Sequence, residues 1–110
     1  KGRNLSERKK IIKDAILLSD AGVIAIVIEC VEESLAKFIT KSVHVPTIGI
    51  GASKYCDGQI LVTDDLLGLS SLTPKFIRKY SNIKKIINKS ISRFRYDVIK
   101  KKFPGRKNIY

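Results

Sequence analysis

The sequence lacks several features that define common classes of protein. No apolar stretch approaches the roughly 18 residues of a membrane-spanning helix, and no secretory leader is visible, so we expect a cytoplasmic protein with no membrane partner. The two cysteines, Cys30 and Cys56, form neither a CxxC pair nor a disulfide framework. With His44 as the single histidine, a zinc site and Ser-His-Asp or Cys-His catalysis are disfavoured.

Methionine is absent as well. A complete translation product begins with Met, whereas this sequence begins with Lys1, so we expect a piece of a longer chain or a processed one. Its 110 residues suffice for a core, and 44% hydrophobic with 29% charged residues is typical of globular proteins. We expect residues 1–110 to belong to a single domain.

Acidic residues are almost missing from the last third. Residues 1–72 carry nine Lys/Arg and nine Asp/Glu, whereas residues 73–110 carry thirteen Lys/Arg and only Asp97, so this basic third holds the whole net charge of +12. Such a block can bind nucleic acid, but 16 lysines against 6 arginines indicate compositional bias rather than selected phosphate contacts. We expect no specific nucleic-acid partner and keep a basic nucleic-acid-binding module as an alternative.

Hydrophobic periodicity predicts helices that alternate with short apolar strands. This order is typical of a parallel α/β architecture. About eight residues separate the second and third strands, too few for a usual parallel crossover, so either the third strand is antiparallel or a barrel lacks one helix. The predicted helices cover about 5–20, 32–43 and 83–102, and a further helix is predicted to begin at Thr73 as its N-cap. The predicted strands cover 22–29, 45–50 and 59–62.

Glu29 is the most informative residue. It ends an apolar run, residues 22–28, that predicts a strand buried on both faces, the habit of parallel sheets. An acid at the carboxyl end of such a strand stands where α/β barrels place catalytic groups. The alternative is a Glu that enters solvent or caps the next helix.

Other candidate sites are weaker. The Gly49-Ile50-Gly51 stretch lacks the third glycine of a dinucleotide loop, because Lys54 occupies that position. A simpler explanation of its glycines is that they lack a side chain, so a ligand or a neighbouring backbone can come close. His44 precedes a strand, at the end of a barrel that serves stability. Three aspartates could bind a hard cation, although a turn and a strand end explain them equally well: Asp57, Asp64 and Asp65.

A set of short motifs in one order and spacing resembles the ketopantoate hydroxymethyltransferase family over essentially the whole chain. No single motif is decisive, but their joint order is specific. They are Ile28-Glu29-Cys30-Val31, Val45-Pro46-Thr47-Ile48-Gly49-Ile50-Gly51-Ala52, Cys56-Asp57-Gly58-Gln59-Ile60-Leu61-Val62, Asp65 with Leu67-Gly68-Leu69, Pro74-Lys75-Phe76 and Phe103-Pro104-Gly105.

The resemblance implies a fold and an activity. The fold is a TIM (β/α)₈ barrel, of which this chain is the C-terminal part, about strands six to eight with their helices. The activity is hydroxymethyl transfer from 5,10-methylenetetrahydrofolate to α-ketoisovalerate, giving ketopantoate for pantothenate and coenzyme A. The base is the Glu of the Glu-Cys-Val motif, Glu29 here. The cofactor is Mg²⁺, whose ligands are expected in earlier strands that this chain lacks, and the intact enzyme is expected to be a homo-oligomer.

The chain departs from the family pattern at several positions. Asp64-Asp65 replaces His-Asp, Ser53 replaces a glycine, and the basic residues 106–110 replace a tail that contains Glu and His. None of these changes affects Glu29. An inactive remnant of the enzyme is therefore a second alternative. We expect the activity to require the missing N-terminal half.

Overall fold

The computed structural model describes residues 1–71 and 74–110. These residues form two compact units, 1–61 and 62–110. In chain order, the first unit contains α1 (Leu5–Asp20), β1 (Ile26–Glu29), α2 (Glu33–Ser42), β2 (Thr47–Ile50) and β3 (Gly58–Gln59). The second contains α3 (Thr63–Leu67), α4 (Ile83–Ile99) and a 3-10 turn (Arg106–Asn108).

The sheet of the first unit has three parallel strands in the order β1-β2-β3. The pairing of β1 with β2 runs from Ile26 opposite Thr47 to Glu29 opposite Ile50. Because β3 is parallel to β2, the antiparallel alternative is wrong, and a loop of turns and bends connects these two strands. The predicted α/β class is confirmed, and the small sheet is compatible with part of a barrel.

β1 is shorter and less buried than the sequence predicts. It begins at Ile26, and Ile24 before it is 94% exposed. Ile26 and Ile28 are buried in the core, whereas Val27 between them is 56% exposed. The prediction of a strand buried on both faces is therefore wrong for the described residues, because α1 and α2 contribute to the core on the Ile26 side only.

α1 has the bounds that the sequence predicts. Its first turn is capped by Asn4, whose side chain accepts a hydrogen bond from the Glu7 backbone at 2.8 Å. The reciprocal half of the predicted capping box differs, since the Glu7 carboxylate accepts from the Arg3 backbone at 3.3 Å. Gly22 follows the helix with a φ of +80°, a conformation that glycine adopts without a steric penalty.

α2 supplies the centre of the core. Leu35, Ala36 and Ile39 are at most 1% exposed, which confirms the apolar face predicted from their helical spacing. They pack with Ala15 of α1 and with Ile28 of β1. The two helices and the strand thereby bury one continuous apolar layer, and this layer holds β1 in place from one side.

The structure contains a short helix, α3, that the sequence analysis does not predict. The sequence predicts a strand over 59–62 that ends in polar residues, but β3 ends at Gln59 and Thr63–Leu67 form a helical turn. Asp64 and Asp65 lie in its first turn, where the helix dipole favours acids. Gly68 ends it with a φ of +70°, and a side chain at this position would collide with the Ser81 backbone.

The segment before α4 also differs from the prediction. Thr73, the predicted N-cap, lies outside the described residues. The described residues 74–82 contain a turn and no helix, so the helix predicted from Pro74 is wrong there. α4 begins at Ile83, capped by the Asn82 side chain, which accepts from the Lys85 backbone at 3.2 Å. It ends at Ile99, three residues before the predicted Lys102.

Candidate functional site

Glu29 is the last residue of β1, at the carboxyl edge of the parallel sheet. The side chains of β1 alternate, so Glu29 shares the exposed face with Val27, and Ile26 and Ile28 face the helices. Among the described residues the Glu29 carboxylate has no hydrogen-bond partner, and it is exposed. The carboxylate therefore holds no other described residue in place, which agrees both with the catalytic hypothesis and with the alternative of a Glu that enters solvent.

The turn after Glu29 has an unusual backbone. Cys30 adopts a φ of +52°, the left-handed region that residues with a side chain rarely enter. Its backbone nitrogen donates to the Ile50 carbonyl at 3.0 Å, so β2 holds the start of this turn. A conformation of this kind persists when surrounding contacts hold it, and such residues cluster at functional sites.

A cleft of about 270 Å³ lies between β1 and α1. Its walls are mostly apolar, with Ile11 and Leu18 from the helix and Val27 from the strand. The charged groups along it are Glu29, Asp14 and Lys1. The cleft lies on the α1 side of β1, whereas the Glu29 side chain shares the open face with Val27, so the cleft is not assigned as the site of the Glu29 carboxylate.

The N-terminus of α2 is capped by Glu32 and not by Glu29. The Glu32 carboxylate accepts from the backbone nitrogens of Ser34 and Leu35, each at 3.1 Å, and from Arg8 at 2.8 Å. The Ser34 hydroxyl, the Arg8 guanidinium and these backbone donors lower the pKa of Glu32 to about 2. The alternative in which Glu29 caps the next helix is therefore wrong.

The contacts of Arg8 and Glu32 were missed by the sequence prediction. Arg8 belongs to α1, and its partners Glu32 and Ser34 lie 24 and 26 residues further along the chain. Periodicity and capping patterns compare residues within one or two helical turns, so no signal in the sequence pairs these positions.

Asp57 has a structural role. Its carboxylate accepts from the Thr47 backbone at 2.8 Å and from the Thr47 hydroxyl at 3.0 Å, and these bonds lower its pKa. The Thr47 hydroxyl also lies 2.9 Å from that of Thr40. Asp57 thus fixes the start of β2, which explains the residue without a cation.

The remaining candidates lie elsewhere. His44 precedes β2 at the amino edge of the sheet, opposite to the edge that carries Glu29. Asp64 and Asp65 belong to the second unit. Across residues 1–71 and 74–110, no group of three or more His, Cys, Asp or Glu side chains could hold a metal ion.

Gly49 is explained by its neighbours in the first unit. A Cβ atom at this position would lie 3.0 Å from the Gln59 side chain and 3.1 Å from Cys56 Sγ. Gln59 in turn donates to the Ser53 carbonyl at 2.8 Å. The glycine therefore permits the close approach of β3 and the preceding loop, which contain these two side chains.

Within the described part of the chain, every helix is too short or too polar to cross a lipid bilayer.

A parallel α/β unit with a lone acid at the carboxyl edge of its sheet is an arrangement typical of α/β enzymes. Comparison with known proteins gives the family. The model of the ketopantoate hydroxymethyltransferase family matches residues 1–106, and the chain belongs to that family. The resemblance predicted from the sequence motifs is confirmed.

Curated relatives carry the name 3-methyl-2-oxobutanoate hydroxymethyltransferase. The chain is 59% identical to one from Pelagibacter ubique, 50% to one from Phenylobacterium zucineum and 48% to one from Maricaulis maris, in each case over 110 residues and 100% of this chain. It spans 43%, 40% and 39% of the length of these relatives, respectively. In the first relative the match covers the C-terminal part.

Proposed function

We propose that this chain is the C-terminal part of a TIM (β/α)₈ barrel enzyme, with β1, β2 and β3 as barrel strands six, seven and eight. The enzyme transfers a hydroxymethyl group from 5,10-methylenetetrahydrofolate to α-ketoisovalerate and forms ketopantoate, a step of pantothenate biosynthesis. One observation carries the proposal: in a member of this family, Glu29 is an exposed acid at the carboxyl edge of a parallel sheet, on the face that the helices leave open.

Glu29 acts as the general base. Its carboxylate accepts the proton from C3 of the keto acid, while the adjacent ketone oxygen takes up the negative charge. C3 then forms the new carbon–carbon bond to the methylene carbon of the folate. The bonds from this carbon to the two folate nitrogens break, water supplies the hydroxyl oxygen of ketopantoate, and tetrahydrofolate leaves with the proton from C3 and one proton from the water on its nitrogens. The lack of a hydrogen-bond partner among the described residues favours this role, because the carboxylate oxygens are free to approach the substrate.

The described residues do not by themselves fit a magnesium site, because they bring together no group of three or more suitable side chains. We assign no residue of this chain to Mg²⁺. The ligands that the family resemblance implies belong to strands outside this sequence.

The cytoplasm is the proposed location, and the intact enzyme is proposed to be a homo-oligomer with a small-molecule substrate. The family membership supports the substrate class. An inactive remnant is the alternative, which the replacement of family residues by Ser53, Asp64 and the basic tail favours.

A chimera tests whether this chain is part of an active enzyme or an inactive remnant of it. The part of the Pelagibacter ubique relative that precedes the match is joined to residues 1–110, and this protein is called the chimera below. With α-ketoisovalerate, methylenetetrahydrofolate and magnesium, the chimera is expected to form ketopantoate at a rate within about tenfold of the intact relative, a loss of up to about 1.4 kcal/mol in barrier. A folded chimera without detectable product would contradict the proposal and favour the remnant.

A further inference from the structure

Ile50 lies beside Glu29 in the sheet. The parallel pairing of β1 with β2 places these two residues directly opposite each other, and the Ile50 carbonyl accepts from the Cys30 backbone at 3.0 Å. Neighbouring strands are about 4.8 Å apart, and side chains that pair across them project from the same face of the sheet. Ile50 therefore lies next to the candidate base, on the face that the described helices leave open.

The burial of β2 agrees with this orientation. Thr47 and Gly49 are buried and pair with the two core residues of β1, whereas Ile48 and Ile50 alternate with them and are only partly buried. The open face of β2 is therefore apolar, with Ile50 at its carboxyl end and Ile48 two residues before it. An apolar side chain thus lies directly beside an acid at the edge where α/β barrels bind substrates.

The Glu29 and Ile50 side chains are similar in length. Each extends from Cα to a δ carbon, so both reach a similar height above a sheet whose strands lie about 4.8 Å apart. In the proposed reaction the Glu29 carboxylate meets the hydrogen on C3 of α-ketoisovalerate, a carbon that also bears two methyl groups. The carboxylate and ketone of the keto acid are disfavoured against an apolar side chain. A methyl group on C3 is therefore the part of the substrate that fits against Ile50.

We propose that Ile50 determines the specificity for a keto acid with a branched C3, a role that rests on the proposed function of Glu29 as base. Its side chain contacts a methyl group on C3 and shields it from water. One missing carbon in an apolar site lowers kcat/KM by about tenfold to two-hundredfold. This single contact is therefore large enough to select α-ketoisovalerate over an unbranched keto acid.

The kinetic test compares α-ketoisovalerate, with two methyl groups on C3, and 2-oxobutanoate, with one. It uses the chimera with Ile50→Ala, Ile50→Val and the matched control Ile48→Ala, the same substitution on the same face of β2 but about 6.6 Å further from the carboxyl edge. In the unsubstituted chimera kcat/KM is expected to favour α-ketoisovalerate by about tenfold or more. Ile50→Ala is expected to lower this preference about fivefold or more, and Ile50→Val less. Ile48→Ala is expected to leave it within about twofold.

A larger substrate tests the same contact in the opposite direction. 3-Methyl-2-oxopentanoate carries an ethyl group in place of one methyl on C3, so its kcat/KM relative to α-ketoisovalerate is expected to rise when Ile50→Ala makes room. If both preferences are unchanged in folded Ile50→Ala and Ile50→Val, the proposal is overturned. An equal loss of kcat/KM for all three keto acids would also overturn it, because that result describes a structural role only.

The contact itself is tested by NMR on the chimera with labelled isoleucine δ-methyl groups. Nuclear Overhauser effects are measured from the methyl groups of bound α-ketoisovalerate in the presence of magnesium, and the Ile50 and Ile48 signals are assigned by their loss in the corresponding Val variants. A cross-peak to the Ile50 δ-methyl is expected, and a weaker one or none to that of Ile48. Bound keto acid without a cross-peak to Ile50 would contradict the proposal.

The tests distinguish this inference from the proposed function. If the unsubstituted chimera shows the cross-peak to Ile50 but forms no ketopantoate, the proposed function fails and the contact stands. If the chimera is active, but neither the preference among keto acids nor the cross-peak depends on Ile50, only the specificity role fails.

Discussion

The Asp57 carboxylate accepts hydrogen bonds from both the backbone nitrogen and the hydroxyl of Thr47, at 2.8 and 3.0 Å. Thr47 begins β2 and is fully buried, whereas Asp57 immediately precedes β3. One side chain therefore joins the starts of two neighbouring strands. The loop that connects β2 and β3 contains no crossover helix, and these two hydrogen bonds hold its end against the start of β2.

Substitution of Asp57 tests this structural role. Asp57→Ala is expected to lower the thermal midpoint of the chimera, because the two Thr47 donors lose their acceptor while they remain buried. Asp57→Asn keeps one acceptor oxygen and is expected to lower the midpoint less. Asp20→Ala, at the exposed end of α1, is the control and is expected to change little. A large loss of affinity for magnesium in Asp57→Asn, with the thermal midpoint unchanged, would instead show that Asp57 is a metal ligand.

The pH dependence of stability is expected to reveal the stabilisation that the ionised Glu32 carboxylate contributes. Its pKa is about 2 in the folded chain against 4.5 ordinarily, so the folded state favours the ionised form. The resulting stabilisation is fully present above about pH 4.5 and is lost as the pH falls from there towards 2. The difference in thermal midpoint between the chimera and its Glu32→Gln variant is therefore expected to be constant from pH 7 to 5. It is expected to become smaller below pH 4.5. A gap that is the same at pH 3.5 and pH 7 would contradict this.

Local patterns predicted much of the first unit. The helical spacing of Leu35, Ala36 and Ile39 predicted the buried face of α2, and Asn4 predicted the start of α1. Both signals lie within a few residues along the chain, where helical geometry decides which side chains meet. The position of Glu29 at the end of β1 was predicted for the same reason, since the apolar run ends there.

Features that depend on distant residues could not be predicted in this way. β3 runs parallel to β2, and Asp57 bonds to Thr47 ten positions earlier, a contact that the spacing of apolar residues does not encode. The exposure of Val27 depends on what covers that face of the sheet, and the described helices cover only the other. The bond from Arg8 to Glu32 joins residues 24 positions apart, so no local pattern marks it.

The basic third is expected to bind nucleic acid weakly and without sequence preference. Its thirteen Lys/Arg residues attract any polyanion, and binding of this kind falls steeply as salt rises because it is driven by counterion release. Fluorescence anisotropy with several labelled RNA and DNA sequences at about 50 and 200 mM salt measures it. A triple Lys84, Lys85 and Lys89 to Gln variant is expected to weaken binding equally for all sequences. Submicromolar, sequence-dependent binding at physiological salt would favour the nucleic-acid-binding alternative.

The chain by itself is expected to form no ketopantoate and to bind magnesium only weakly. It carries the candidate base, but its described residues bring together no set of metal ligands. A base without a group that stabilises the developing negative charge gives little rate. Product analysis and magnesium titration of the purified 110-residue chain check this expectation. Ketopantoate formed by this chain alone would show that the assignment of the metal ligands to other strands is wrong.

The central claim is that Glu29 removes the substrate proton, and exchange at C3 of α-ketoisovalerate tests it most directly. The chimera, its Glu29→Gln variant and the control Glu33→Gln, an exposed acid in α2, are incubated with C3-deuterated substrate and magnesium, and loss of deuterium is followed by NMR. We predict that Glu29→Gln slows exchange and turnover by about a hundredfold or more, the scale of a lost general base, while binding of the keto acid changes far less. Glu33→Gln is predicted to behave like the unsubstituted chimera. Exchange in Glu29→Gln at the unsubstituted rate would contradict the claim.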